Sequence, residues 1–176
     1  MHTIKSYPNR KSTRLKNYRY DSFGLYFITI CCDQKKAFFG KVEEQEVQLN
    51  ELGRIVEEEW ENTEVIRENV QLYEYIVMPN HFHGIIQLFD ENNEIEYVSS
   101  RFESPKNSLG SIIRGFKSAT SKRINEWLYA DNTIKKPEKI WQRNYYDHII
   151  RDEERYKIIR DYIINNPANW RKDRFY

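Results

Sequence analysis

Two of the chain's four histidines, His81 and His83, stand one residue apart inside the apolar run VMPNHFHGII, residues 77–86. On an extended strand, residues two apart point to the same face, about 6.6 Å apart along the chain. Both imidazoles can therefore aim at one point in front of a sheet, while Phe82 points the other way into whatever packs behind. A metal ion needs such convergence, and so does a phosphate held by two ring N–H groups. The plainer alternative is two histidines filling a half-polar strand end. Pro79 and Asn80 signal a turn just before the pair, which would expose the site at a strand end, and Gly84 would leave room beside it. Two histidines do not close a structural zinc site, which wants four protein ligands, and the two cysteines do not follow a C-x-x-C pattern. An open pair completed by an oxygen ligand suits Mg²⁺ or Mn²⁺.

That oxygen must come from elsewhere. The stretch RDYIINNPANW, residues 160–170, places Tyr162 and Asn166 at i and i+4 of a helix, on a shared face. Asn166 offers a hard carbonyl ligand, and Tyr162 offers a hydroxyl one turn away. If this helix packs across the histidine strand, the amide completes the metal shell and the phenol faces a bound phosphate. Otherwise Tyr162 is a core aromatic, and Asn165 or Asn166 caps the helix.

The elements that must position these groups follow from periodicity. GLYFITICC (residues 24–32) reads as a buried strand, and residues 36–50 read as a short hairpin with Gly40 near its turn. Residues 51–66 carry Leu52, Ile55, Val56 and Trp60 at helical spacing, with Asn50 as N-cap. Two strands follow, NVQLYEYIVM and HFHGIIQLF, as a hairpin with the histidines at the entry of its second arm. Residues 90–107 are polar and loop-like. The next helix puts Leu109, Ile112, Ile113, Phe116, Ile124 and Leu128 on one stripe, and residues 131–139 link it onward. IWQRNYYDHIIR reads as a strand and DEERYKIIRDYIINN as a helix ending before Pro167. The order is the β-α-β-β-α-β arrangement of the ferredoxin-like (RRM-like) α+β fold, an antiparallel sheet with an additional C-terminal helix that carries Tyr162.

At 176 residues the chain suits one domain over 1–176, with residues 1–20 as a basic N-terminal extension. Hydrophobic residues are 39% and charged residues 31%, a globular rather than a disordered balance. Net charge is +1, but it is unevenly spread: six bases and no acid in residues 1–20, eleven acids and three bases in 41–75, six bases and one acid in 101–125. Basic segments interleaved with aromatics, such as YPNRKSTRLKNYRY, suit phosphate pairing and base stacking, and they suit a solvated surface and ordinary core as well. Cys31 and Cys32 are adjacent, so no ordinary intrachain disulfide is available and a reducing cytoplasm is expected. No apolar stretch is long enough to span a membrane.

These residues together carry a resemblance. His81-Phe82-His83 is a histidine–hydrophobic–histidine (HUH) motif. With the flanking VMPN and GII, the opening RLKNYRYDSFGLYFITICC, the stretch IIRGFKSATSKRIN and the closing IWQRNYYDHIIRDEERYKIIRDYIINNP, it resembles the single-tyrosine HUH transposases. The likeness is to the REP-associated tyrosine transposases related to the insertion-sequence-200 type, in the expected order over nearly the whole chain. The resemblance implies cleavage and rejoining of single-stranded or hairpin DNA at palindromic repeats through a 5′-phosphotyrosine, with Mg²⁺ or Mn²⁺. Carried over, Tyr162 is the nucleophile, and His81, His83 and Asn166 hold the metal, with Tyr145 and Tyr146 as rival phenols. Lys117 would approach the scissile region. Arg14, Lys16, Arg114, Lys122, Arg123 and Arg143 would follow the DNA backbone, and Trp141 and Tyr145 would stack bases or line the DNA path. The protein would associate with the nucleoid when bound to DNA, and either a monomer or a homodimer with a trans site is compatible.

Two other readings compete. A ferredoxin-like sheet with exposed aromatics also fits a non-catalytic nucleic-acid-binding module. A metal hydrolase would use His81 and His83 with His148 or Asp147 around Zn²⁺.

Overall fold

A computed structural model describes residues 24–89, 107–130 and 138–175. The expected N-terminal extension with Arg14 and Lys16, the polar segment 90–106 and most of the linker 131–139 lie outside the described residues.

The chain runs β1 (Gly24–Cys31), β2 (Gly40–Glu43), β3 (Glu46–Leu49), α1 (Glu51–Val65), β4 (Val70–Met78), β5 (His81–Leu88), α2 (Leu109–Tyr129), β6 (Tyr146–Ile150) and α3 (Glu153–Ile164). Four strands form the main sheet in the order β4-β5-β1-β6, antiparallel at every junction. With the separate β2–β3 hairpin set aside, the order is second, third, first, fourth, which is the split β-α-β arrangement of the ferredoxin-like fold that the pattern predicts.

Each helix begins on a side-chain cap. Asn50 accepts from the Gly53 amide at 3.0 Å, Ser108 from Ser111 at 3.3 Å and Asp152 from Arg155 at 2.7 Å, each satisfying an amide that the first turn leaves open. The β2–β3 hairpin turns at Glu44 and Gln45, both with positive φ (51° and 67°), rather than near Gly40. Gly40 instead opens β2, where a Cβ would lie 2.1 Å from the Gln48 carbonyl oxygen. The last strand is shorter than its sequence run suggests. Residues 138–145 precede it as an irregular segment, with Trp141 bridged to Cys32.

Alternation sorts the side chains onto two faces. Tyr26, Ile28 and Ile30 of β1 and Phe82 and Ile86 of β5 pack with Trp60 of α1 and Ile112 and Phe116 of α2 in the larger core. On the opposite face Ile85 and Ile150 pack with Ile159 and Ile163 of α3. Gly84 belongs to the first face: a Cβ there would sit 2.9 Å from both Phe82 and Trp60, so it makes room for the α1 core and not for the histidines. No described helix is long and apolar enough to cross a membrane.

Candidate active site

The β5 pleat turns His81 and His83 toward the α3 side, as Phe82 enters the core behind them. Phe82 is fully buried, its ring 4.7 Å from Trp60 and 5.4 Å from Phe116. On the front, the two imidazole centroids are 4.5 Å apart. β1 supplies the floor beside them: Cys31 pairs with His81 and Thr29 with His83. Thr29 Oγ1 lies 2.8 Å from His83 Nδ1, and Phe27 stacks on the His83 ring at 5.3 Å. Asn80 Oδ1 lies 2.8 Å from His81 Nδ1.

The α3 helix crosses this face with Ile159 and Ile163 buried. Tyr162, beside that ridge, is 41% exposed, yet its hydroxyl reaches His83 Nε2 at 3.2 Å and Asp173 Oδ2 at 3.0 Å. Asn166, one turn on, is buried, and its Nδ2 donates to the same Asp173 oxygen at 2.9 Å. The helix therefore does bring phenol and amide to the histidine strand, and Asn166 is spent on the site, not on capping the helix end.

A further group arrives from a part of the chain where no motif marks it. Beyond Pro167 the chain folds back, so that Trp170 lies 5.8 Å and Phe175 5.1 Å from His81, ring to ring. Asp173 comes with this return. The ligand atoms of His81, His83 and Asp173 all lie within 4.8 Å of one another, and among the described residues they are the group at metal-binding spacing. His148 and Asp147 are not in it. The returning segment also closes the site: His81 is 0% and His83 1% exposed, where the turn before the pair had suggested an open strand end.

Six buried side-chain polar atoms among the described residues lack a hydrogen-bond partner, and two of them lie in this site. His81 Nε2 and Asn166 Oδ1 are buried without a hydrogen-bond partner, a costly state for groups of this kind. Both are atoms a cation would engage. The donor set of imidazole nitrogen, amide oxygen and carboxylate fits a divalent ion of the Mg²⁺ or Mn²⁺ class. Cys31 pairs with His81 in the sheet, and burial pushes its thiol up to about 11; a soft sulfur also suits Mg²⁺ or Mn²⁺ less well than oxygen does.

Burial also sets the charge states. It lowers His81 to about 4, against a partial opposing pull from the Asp173 carboxylate. Burial and the neighbouring His81 hold His83 well below the usual imidazole range. The Tyr162 phenol is raised by burial and then by Asp173, so it rests neutral. For a histidine depressed on folding, the unfolded chain binds more protons below about pH 6.5, so stability is full above that value and declines as pH falls toward 4. The urea midpoint is therefore expected to drop between pH 7.5 and pH 5. An unchanged midpoint would contradict neutral buried rings.

The remaining residues of interest sit elsewhere. Lys117 on α2 is drawn to the carbonyl oxygens of Gln142 and Arg143 at 2.6 and 3.0 Å, tying α2 to the segment before β6. Arg123 pairs with Glu58 and Glu59 of α1 at 2.6 and 2.8 Å. Trp141 is only 4% exposed, its indole N–H donating to Thr120 at 2.8 Å, so its ring presents no face to solvent. Arg114, Lys122 and Arg143 are exposed. Tyr145 packs partly against the larger core, on the face away from the histidines. Tyr146 is 47% exposed and 6.0 Å from Phe175, ring to ring.

No protein-family model matches the chain. Among solved structures, a REP-associated tyrosine transposase bound to a REP hairpin superposes with a TM-score of 0.59 at 18% identity, covering 89% of this chain and 74% of that one. A protein of Haemophilus influenzae (strain ATCC 51907 / DSM 11121 / KW20 / Rd), described as an uncharacterized protein, is 40% identical over 175 residues, 96% of this chain and 93% of its own length. The chain belongs to one family with that Haemophilus protein, and its fold is that of the REP-associated tyrosine transposase.

Proposed function

We propose that this protein is a transposase-type enzyme that cleaves and rejoins single-stranded DNA at hairpin-forming repeats, with Tyr162 as nucleophile. The observation that carries the reading is the Tyr162 hydroxyl at 3.2 Å from His83 Nε2, beside the paired imidazoles. A solved structure of the same fold is described as bound to a REP hairpin, which supports a DNA substrate.

The Tyr162 oxygen attacks the phosphorus, the bond to the 3′ oxygen breaks, and a 5′-phosphotyrosine and a 3′-OH result. The phenolic proton faces Asp173 Oδ2 at 3.0 Å, an acceptor already oriented by the Asn166 amide. Because the ester bond is conserved in the covalent link, a second 3′-OH can reverse the reaction without ATP. His81, His83 and the oxygens of Asn166 or Asp173 would hold Mg²⁺ or Mn²⁺. Bound there, the ion supplies Lewis-acid stabilisation of charge at the phosphate. The protein's own contribution is position: Ile159 and Ile163 seat α3, and Thr29 and Phe27 fix the His83 ring. Exposed Arg114, Lys122 and Arg143, with Arg14 and Lys16, are proposed to follow the DNA backbone.

The test is incubation with hairpin-bearing single-stranded DNA and Mn²⁺, followed by denaturing electrophoresis. A protein–DNA adduct that survives denaturant is expected, and it should vanish with EDTA and in His83→Ala. DNA binding with no metal-dependent cutting would favour a binding module instead. Phe175 packs against both imidazoles, at 5.1 and 5.7 Å ring to ring, and is proposed to hinder a phosphate's approach to them. Phe175→Ala is accordingly expected to speed adduct formation several-fold, and a slower reaction would contradict this.

A further inference from the structure

Asn80, the second residue of the turn between β4 and β5, is 6% exposed and makes two side-chain hydrogen bonds of opposite sense. Its Nδ2 donates to the Phe175 carbonyl oxygen at 2.9 Å. A carbonyl oxygen only accepts, so this bond decides which way the amide is turned. The atom left facing His81 Nδ1, at 2.8 Å, is therefore Oδ1. An amide oxygen also only accepts, so His81 Nδ1 must carry the hydrogen. A neutral imidazole has one N–H, and the lone pair then resides on Nε2. That Nε2 is the buried atom for which the protein offers no donor. The Thr29 hydroxyl facing His83 Nδ1 can donate or accept, so that contact by itself does not select a tautomer for His83.

We propose that Asn80 is a positioning residue: it holds His81 in the Nδ1–H tautomer so that the Nε2 lone pair faces the cation position, and through the Phe175 carbonyl it ties that arrangement to the segment lying over the site. The role toward a cation rests on the metal-site reading above, whereas the tautomer is a property of the metal-free protein. Outer partners of ligating histidines act in this manner, and their loss typically costs about 10–100-fold in metal affinity.

The tautomer is read directly by long-range ¹H–¹⁵N spectra of histidine-labelled, metal-free protein at pH 7.5. Wild-type His81 is expected to show a protonated Nδ1 and an unprotonated Nε2. Asn80→Asp keeps an accepting oxygen toward Nδ1 and should retain the Nδ1–H pattern, while losing the bond to the Phe175 carbonyl oxygen. Asn80→Ala removes the accepting oxygen and should release the ring to the Nε2–H form. In calorimetric titrations with Mn²⁺, Asn80→Ala should bind about 10–100-fold more weakly, and Asn80→Asp within a few-fold of wild type. A wild-type His81 found as Nε2–H overturns the proposal, and this measurement does not depend on any variant folding. Unchanged ring shifts and Mn²⁺ affinity in a folded Asn80→Ala protein overturn it as well. A wild-type Nδ1–H ring in a protein that binds no Mn²⁺ would uphold the tautomer and sink the metal reading.

Discussion

Tyr162→Phe is expected to eliminate the denaturant-resistant DNA adduct and to lower strand cleavage by about 10³-fold or more, the scale seen when a nucleophile is removed. Hairpin DNA affinity and fold should change little. The substitution deletes a single oxygen from a ring that is 41% exposed. Asp173 Oδ2 keeps its bond from Asn166 Nδ2 at 2.9 Å, whereas Nε2 of the buried His83 loses its contact with the phenol. The stability cost should stay within about 1–3 kcal/mol, the range for a buried group that loses its partner. A loss of activity far larger than the loss of stability is the signature, read by adduct assay and thermal melting on the same preparation. Persistence of the adduct in Tyr162→Phe would move the nucleophile to another phenol. Tyr146→Phe would then be the variant to make, since Tyr145 faces the other side of the sheet.

Phe82→Ala is expected to produce the opposite pattern, a large loss of stability. The ring is fully buried between Trp60, Phe116 and Tyr75 at 4.7, 5.4 and 6.1 Å. Truncating such a residue costs about 3–5 kcal/mol when the cavity cannot collapse. Collapse is hindered here because the neighbours on three sides are rigid rings. For a chain of this size that corresponds to a fall in melting temperature of about 6–20 °C. Metal binding should weaken with it, because the pleat that seats Phe82 behind the sheet is what presents His81 and His83 in front. A cost below about 1 kcal/mol would mean that Phe82 is not the anchor of this strand.

Much of the frame was legible in the residues. The stripe at Leu52, Ile55, Val56 and Trp60, the stripe along α2 and the β-branched runs of β1, β4 and β5 specify their elements through period alone, because each must bury one face. Period 2 on β5 also sufficed to send the histidines one way and Phe82 the other. Where local signals misled, a distant partner was the cause. Gly84 beside the pair suggests room for the histidines, yet what needs the space is Trp60, from a helix more than twenty residues earlier. Trp141 looks in sequence like a stacking platform among bases. Its ring is instead taken up by Phe39 and Phe116, with Thr120 on its N–H.

The amino-acid order by itself therefore determined the element types, the ferredoxin-like order, and the two pairs His81/His83 and Tyr162/Asn166, since each of these depends on spacing within one element. Only the tertiary structure decided that the two pairs meet, that Asp173 joins them, that Phe175 packs against both imidazoles, and that Asn80 faces one ring with an oxygen. Those four facts depend on how α3 lies across the sheet and how the chain returns after Pro167. Burial of Ile159 and Ile163 against Ile85 and Ile150, together with the Asn80–Phe175 hydrogen bond, sets that geometry, and no period in the sequence records it.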